Sequence, residues 1–306
     1  MKQLYHFCIT CHNEVLFRDD EDIRQITNIL ALEAFNCQVE LWVDAVMSTH
    51  LHGIGNAEEQ NIILLCRMLK MRITKYHRAR HQGNGPLFDP GYFLLRLDGN
   101  NHILAALSYV LRNGLHHGQS ATPFAYPHCS ANHLFCKDLG KEPCVPVITS
   151  RADIARHLPR RSPFPDQFVM DRNGMLLREC FEHLPMVEHY YRTPRCFDYY
   201  MSRLSGEEWK REQQQEDARD APITLESIEP TSPHETIANM LARENGRSTT
   251  RLSDTDLCQI IDKEYVPHYN KQSVYQLSQE QRLRIKYDLA LQYYASDPQI
   301  RRCLAL

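Results

Sequence analysis

The stretch MSTHLHGIGN, Met47 to Asn56, places His50 and His52 one residue apart in a segment rich in strand-forming residues. In a β-strand, residues i and i+2 project from the same face, so the two imidazoles would stand side by side while Leu51 points the other way. Such a pair can hold a divalent cation, but two nitrogens leave most of its coordination sphere open. With 16 histidines in 306 residues, chance alone supplies roughly 0.8 pairs of this spacing. Context must therefore decide.

A second constellation supplies that context. Tyr109 and Asn113 in NNHILAALSYVLRNG are four residues apart, so on a helix a phenolic hydroxyl and an amide oxygen share one face. Roughly 1.5 such pairs are expected by chance. Only the conjunction with the histidines is informative.

The elements that would position these residues follow from periodicity. QLYHFCIT (Gln3 to Thr10) reads as a first strand. A helix follows, with Asp19, Asp20, Glu21 and Asp22 at its N-terminus and Ile23, Ile26, Leu30 and Ala34 as its apolar stripe. CQVELWV (Cys37 to Val43) alternates as a strand. A turn at Asp44 and Ala45 returns the chain through VMSTHLHGI. A helix from about 57 to 76 carries Ile62, Leu65, Leu69 and Ile73, QGNGPLFDPG is a loop, and YFLLRL is the next strand. The tyrosine helix runs from about 100 to 112 and is expected to stop near Asn113-Gly114.

This order is β-α-β-β-α-β. The expected fold class is α+β, a ferredoxin-like antiparallel sheet with helices on one face and an added tyrosine-bearing helix. A mainly α-helical C-terminal region follows. The expected units are a sheet-bearing domain over 1–145, a helical extension over 146–212, a polar linker over 213–233, and a small helical domain over 234–306. Ser232, at the end of the linker, has capping-box spacing with Glu235, as Ser278 has with Gln281, and Asp297-Pro298 opens the final helix. Arg301 and Arg302 there could meet DNA as in a helix-turn-helix, although helical packing explains the pattern equally well.

Composition narrows the classes. The apolar fraction is 42%, charged residues make up 24%, and the net charge is −3, so no general attraction to nucleic acid exists and a local patch must hold any such partner. The segment from Arg67 to His81 is such a patch, with six Lys or Arg residues and no acidic one. Eleven cysteines without a signal-peptide pattern lead us to expect a reducing compartment and no disulfide framework. No apolar run would span a bilayer, so no membrane partner is expected. Cys8 and Cys11 have zinc-like spacing but diverge on a strand, and the ligands between His128 and Cys144 match no common zinc pattern.

His50-Leu51-His52 in MSTHLHGI, followed by Tyr109-x-x-x-Asn113, resembles the HUH-class single-tyrosine transposases, including the REP-associated tyrosine transposases and related insertion-sequence transposases of bacteria. The resemblance spans about 2 to 130, including YHFCIT and ATPFAYPHCSA. It departs after the asparagine, where relatives usually have proline and this chain has Gly114.

The resemblance implies a metal-dependent single-strand DNA nuclease and strand transferase acting in DNA transposition and recombination. Tyr109 is then the nucleophile, giving a 5′-phosphotyrosine intermediate and a free 3′-hydroxyl. Magnesium or manganese (Mg²⁺ or Mn²⁺) on His50, His52 and Asn113 polarises the scissile phosphate. The implied partner is single-stranded or hairpin DNA, with Lys75, Arg78, Arg80 and Arg112 as DNA-binding candidates. The implied location is the bacterial cytoplasm, associated with the nucleoid. Use of Tyr109 in cis or in trans, and with it a homodimer, stays open. Two other functions remain in play: a His-pair metal-dependent phosphohydrolase using water, and a non-enzymatic DNA-binding regulator derived from a transposase.

Overall fold

The computed structural model describes residues 1–117, 119–120, 122–141, 146–158, 164–202 and 252–306. Its first part runs β1 (Gln3–Thr10), α1 (Asp20–Asn36), β2 (Glu40–Val46), β3 (His50–Ala57), α2 (Glu59–His81), β4 (Phe93–Arg96) and α3 (Asn100–Leu111). The four strands form one antiparallel sheet in the order β2-β3-β1-β4. The two innermost strands, β1 and β3, pair with Cys8 opposite His52 and Thr10 opposite His50.

Alternation along these strands makes two different faces. Tyr5, Phe7, Ile9 and Leu51 pack with the apolar stripes of α1 and α2. Leu4 and Ile54, with Val43 and Ala45, pack with α3. The expectation of helices on one face thus holds for α1 and α2, while α3 covers the opposite face. Phe7 approaches β3 so closely that a Cβ on Gly53 would run into its ring, which explains the glycine after His52.

The β2-β3 turn differs from expectation. Asp44 and Ala45 lie inside β2, and the chain reverses through Met47 to Thr49, where the Met47 amide donates to the His50 carbonyl at 2.8 Å. Asp44 looked like a turn residue but is a buried strand residue, ion-paired to Arg178. A register shift between Leu41 and Val43 breaks the alternation. Leu41 therefore joins the α1/α2 core, and Val43 joins the α3 core.

Helix α1 starts as expected, the Asp19 side chain accepting from the Asp22 amide at 3.0 Å. Helix α2 runs beyond the expected end to His81, where Gln82 adopts a left-handed conformation. Its buried Ile62, Leu65, Leu69 and Ile73 hold it to the sheet; each such residue contributes about 1.5–3 kcal/mol.

Beyond the sheet, a two-residue antiparallel pair, β5 (Val147–Ile148) and β6 (Met170–Asp171), accompanies α5 (Arg151–His157), α6 (Leu184–Tyr191) and α7 (Pro194–Ser202). Leu184, Val187, Tyr191, Phe197 and Met201 share the core beneath α3. The C-terminal helices are α8 (Asp254–Ile260), α9 (Gln279–Tyr293) and α10 (Asp297–Leu304). Ser278 and Gln281 form the expected capping box. These helices have their own core, into which Val15 inserts.

The Arg18 guanidinium donates to both oxygens of Asp262, at 2.8 and 2.9 Å, and to the Cys303 carbonyl at 2.9 Å. Arg301 pairs with Asp297 and Arg302 with Asp254, so both arginines of the expected helix-turn-helix serve intramolecular contacts. The expected linker over 213–233 and the helix after Ser232 lie outside the described residues. The ten described cysteines are all free thiols, and among the described residues no helix is long and apolar enough to cross a membrane.

His128 carries a stability prediction. Its ring packs on Phe17 and Tyr126, and burial pushes its pKa down to about 4. The unfolded chain therefore binds more protons between pH 6.5 and 4, and stability rises with pH across that window. Up to about 3 kcal/mol is lost on acidification. Urea midpoints of His128→Gln should fall less than those of the unsubstituted protein between pH 7 and 4.5.

Candidate functional site

The α3-covered face of β1 and β3 carries a cluster of imidazoles. His6, His50 and His52 project from it, and each is at most 5% exposed. Helix α3 continues after a break at Arg112 as α4 (Asn113–His116), which brings Tyr109, Asn113, His116 and His117 over the same face.

The geometry joins the sequence candidates. The Tyr109 ring lies 5.5 Å from that of His52, nearly perpendicular to it, 5.0 Å from His116 and 6.1 Å from His6. Asn113 Oδ1 is 3.1 Å from His50 Nε2. The His50 and His52 rings are 4.8 Å apart, and His117 sits 4.6 Å from His50. His50, His52, Tyr109 and Asn113 are thus assembled in one place.

Partners not identified in the sequence orient the two histidines. Thr49 Oγ1 is 3.0 Å from His50 Nδ1, and His6 Nε2 is 3.0 Å from His52 Nδ1. When each Nδ1 is held by its partner, each Nε2 can offer a lone pair to a cation, the arrangement in which outer residues fix a ligand's tautomer. Cys8 Sγ faces His52 Nε2 at 3.9 Å. Burial first, and then the neighbouring imidazoles, holds the His52 pKa well below its ordinary value. His52 is therefore neutral, the form that ligates a metal or accepts a proton. His6 could have been found in the sequence: it alternates with Cys8 on the strand that pairs with the histidine strand.

Asn113 is not a helix C-cap. It opens α4, its side chain is fully buried, and among the described residues its Nδ2 has no hydrogen-bond partner. Gly114 is helical, and a Cβ there would run into the Tyr126 ring. That ring is pinned by a 2.6 Å hydrogen bond from its hydroxyl to the Val46 carbonyl. Gly114→Ala should therefore cost about 1–3 kcal/mol through overpacking, read as a lower urea midpoint, and should disturb the neighbouring Asn113.

The expected DNA-binding residues do not all come together. Lys75, Arg78 and Arg80 lie on α2, across the sheet from the histidines. Arg78 is held by both oxygens of Glu14 and by the Gly85 and Pro86 carbonyls, and Arg80 is paired with Asp19 and Asp22. Lys75 is exposed. Arg112 is buried beside Asn113. The basic stretch mostly serves the fold, because acidic partners distant in sequence neutralise its arginines.

Among the described residues, the His, Cys, Asp or Glu group whose ligand atoms all lie within 4.8 Å of one another is Asp22, His77 and His81, also away from this face. Asn113 is outside that residue set, although its oxygen meets His50.

No family model matches the sequence, and no curated protein matches it. Among solved structures, the chain is similar to a REP-associated tyrosine transposase bound to a REP hairpin, at 11% identity and a TM-score of 0.35. That likeness covers 46% of this chain and 82% of the other. It is too distant to bear on function.

Proposed function

We propose that this protein is a metal-assisted single-strand DNA endonuclease and strand transferase built on a ferredoxin-like sheet, with Tyr109 as its nucleophile. The supporting observation is the convergence of Tyr109, His50, His52 and Asn113 on one sheet face, with Asn113 Oδ1 3.1 Å from His50 Nε2 and Tyr109 5.5 Å from His52.

His50, His52 and Asn113 would hold Mg²⁺ or Mn²⁺, and the ion would supply Lewis-acid polarisation of the scissile phosphate. The mixed nitrogen and oxygen donor set suits manganese better than magnesium, which prefers oxygen. Thr49 and His6 hold the ligand rings in orientation. The Tyr109 hydroxyl proton passes to the His116 imidazole, whose ring lies 5.0 Å away and is not among the metal ligands. The phenolic oxygen then bonds to phosphorus while the bond to the 3′-oxygen breaks. That oxygen takes a proton and leaves as a 3′-hydroxyl, and the phosphodiester energy is conserved in a 5′-phosphotyrosine. Single-stranded DNA suits a buried tyrosine, because an unpaired backbone can enter a cleft that a duplex cannot. Of the four basic candidates, Arg112 is the one beside the cluster and is our choice for a phosphate contact.

Burial of Tyr109, which is 6% exposed, favours one rival reading, a phosphohydrolase in which the histidines activate water and the tyrosine only packs. The two readings differ in one product. Incubation with labelled hairpin DNA and Mn²⁺ should give a protein-DNA adduct that survives denaturation, lost with His50→Ala or His52→Ala and absent when the metal is chelated. Metal-dependent cleavage with no adduct at any time point would favour the hydrolase. His6→Ala, which removes an orienting partner but no ligand, should lower activity or metal affinity by about 10–100-fold, read from cleavage rates across a Mn²⁺ titration.

A further inference from the structure

We propose that Asp22, His77 and His81 form a second metal site, of the structural zinc class, on the face of the sheet opposite the tyrosine cluster. The inference stands on different residues from the nuclease reading and does not depend on it. His77 and His81 are one turn apart on α2, so their rings share a side of the helix. Asp22 reaches them from the first turn of α1, and one ligand atom from each residue lies within 4.8 Å of the other two.

The unusual member is His77. It is fully buried, and among the described residues neither ring nitrogen has a hydrogen-bond partner. An imidazole enclosed in that way forfeits about 1–3 kcal/mol for each unsatisfied polar group. The alternative to a metal would be a protein donor or acceptor, and among the described residues none reaches either nitrogen. A cation shared with His81 and Asp22 would satisfy one of its two nitrogens.

The carboxylate is prepared for the same role. Asp22 accepts from the Arg18 amide at 2.8 Å, from the Tyr76 hydroxyl at 3.0 Å and from Arg80, which fixes its orientation. His81 Nε2 lies 2.9 and 3.0 Å from its two oxygens. Ligands on a tetrahedral zinc stand about 3.3 Å apart, so a shift of a few tenths of an ångström would exchange that hydrogen bond for a shared ion. Two imidazole nitrogens and a carboxylate oxygen select zinc-like transition metals over magnesium or calcium.

The site also has a roof. Tyr275 from the C-terminal part stacks edge-on against His77 at 5.8 Å and lies 6.5 Å from His81. Its hydroxyl donates to Glu14 at 2.8 Å. A bound ion would pin α1 to α2 beneath the segment that carries the C-terminal helices.

The test uses the full chain with His50→Ala and His52→Ala, which removes the other histidine pair. After treatment with a strong chelator, reloading with Zn²⁺ or Co²⁺ and exhaustive dialysis, metal content is measured. The expected result is one equivalent per chain, a visible absorption band of four-coordinate Co²⁺, and a higher melting temperature with Zn²⁺. Adding His81→Gln, which can still donate to Asp22, should remove the retained metal. Less than about a tenth of an equivalent in the His50/His52 variant would overturn the proposal, as would full retention after His81→Gln. If the multiple variants fail to fold, His81→Gln alone should lower the content of the otherwise unsubstituted chain by one equivalent, and unchanged content there would overturn it. None of these outcomes alters the adduct experiment on Tyr109.

Discussion

Tyr109→Phe is expected to abolish the covalent protein-DNA adduct and to lower strand cleavage by at least about 10³-fold, the scale on which loss of a nucleophile is felt. The substitution removes one oxygen and leaves a ring of the same shape beside His6, His52 and His116, in the core that α3 shares with the sheet. The fold and the metal ligands should therefore survive. Equal circular dichroism, equal Mn²⁺ retention and an unchanged urea midpoint to within about 1 kcal/mol would show that the lost activity belongs to the hydroxyl. Should cleavage persist while the adduct disappears, water is the nucleophile and Tyr109 only packs.

The second large effect concerns stability. Arg178 bonds two fully buried carboxylates, Asp44 inside β2 and Glu182 ahead of α6, and Ser130 donates to Glu182 at 3.0 Å while accepting from the Asp44 amide at 2.8 Å. Arg178→Ala leaves both carboxylates in the interior without their cation, a change worth about 3–5 kcal/mol. Burial already raises the Glu182 pKa above its ordinary value. A carboxyl raised in the folded state binds more protons folded than unfolded, so its contribution to stability falls as pH rises. The deficit of Arg178→Ala should accordingly be largest near neutral pH and shrink towards pH 5, as followed by urea unfolding. Asp44→Asn with Glu182→Gln in the same chain should recover much of the loss.

Much of the sheet is legible in the residues because its signals are local. Alternation marks β1 and β3, the acidic run at 19–22 starts α1, and the stripe from Ile62 to Ile73 marks α2. What escapes a local reading depends on distant partners. Asp44 reads as a turn until Arg178, more than a hundred residues away, is seen to neutralise it inside a strand. The bulge near Trp42 has no glycine or proline to announce it. The tyrosine helix does end next to Asn113-Gly114, at Leu111 with Arg112 as its cap, but the glycine is there to admit the Tyr126 ring, a tertiary demand.

The candidate site divides in the same way. His50, His52, Tyr109 and Asn113 are visible as spacings, and the fold brings them together. His6, Thr49 and His116 become visible only once the register of β1 against β3 and the continuation of α3 into α4 are known. Arg78 and Arg80 read as a basic patch because Glu14, Asp19 and Asp22 lie some sixty residues earlier in the chain. His77 and His81 were hidden within that same patch, their partner Asp22 serving in sequence only as a helix-start residue.

The most direct measurement is the identity of the bond to DNA. Full-length protein incubated with a single-stranded hairpin and Mn²⁺ should give, after nuclease and protease digestion, a peptide spanning Tyr109 that carries a nucleotide through its 5′-phosphate. That mass, located on Tyr109 by fragmentation, is what the account predicts. A nucleotide on any other residue, a 3′-phosphate linkage, or metal-dependent cleavage that leaves the Tyr109 peptide unmodified throughout the time course would contradict it.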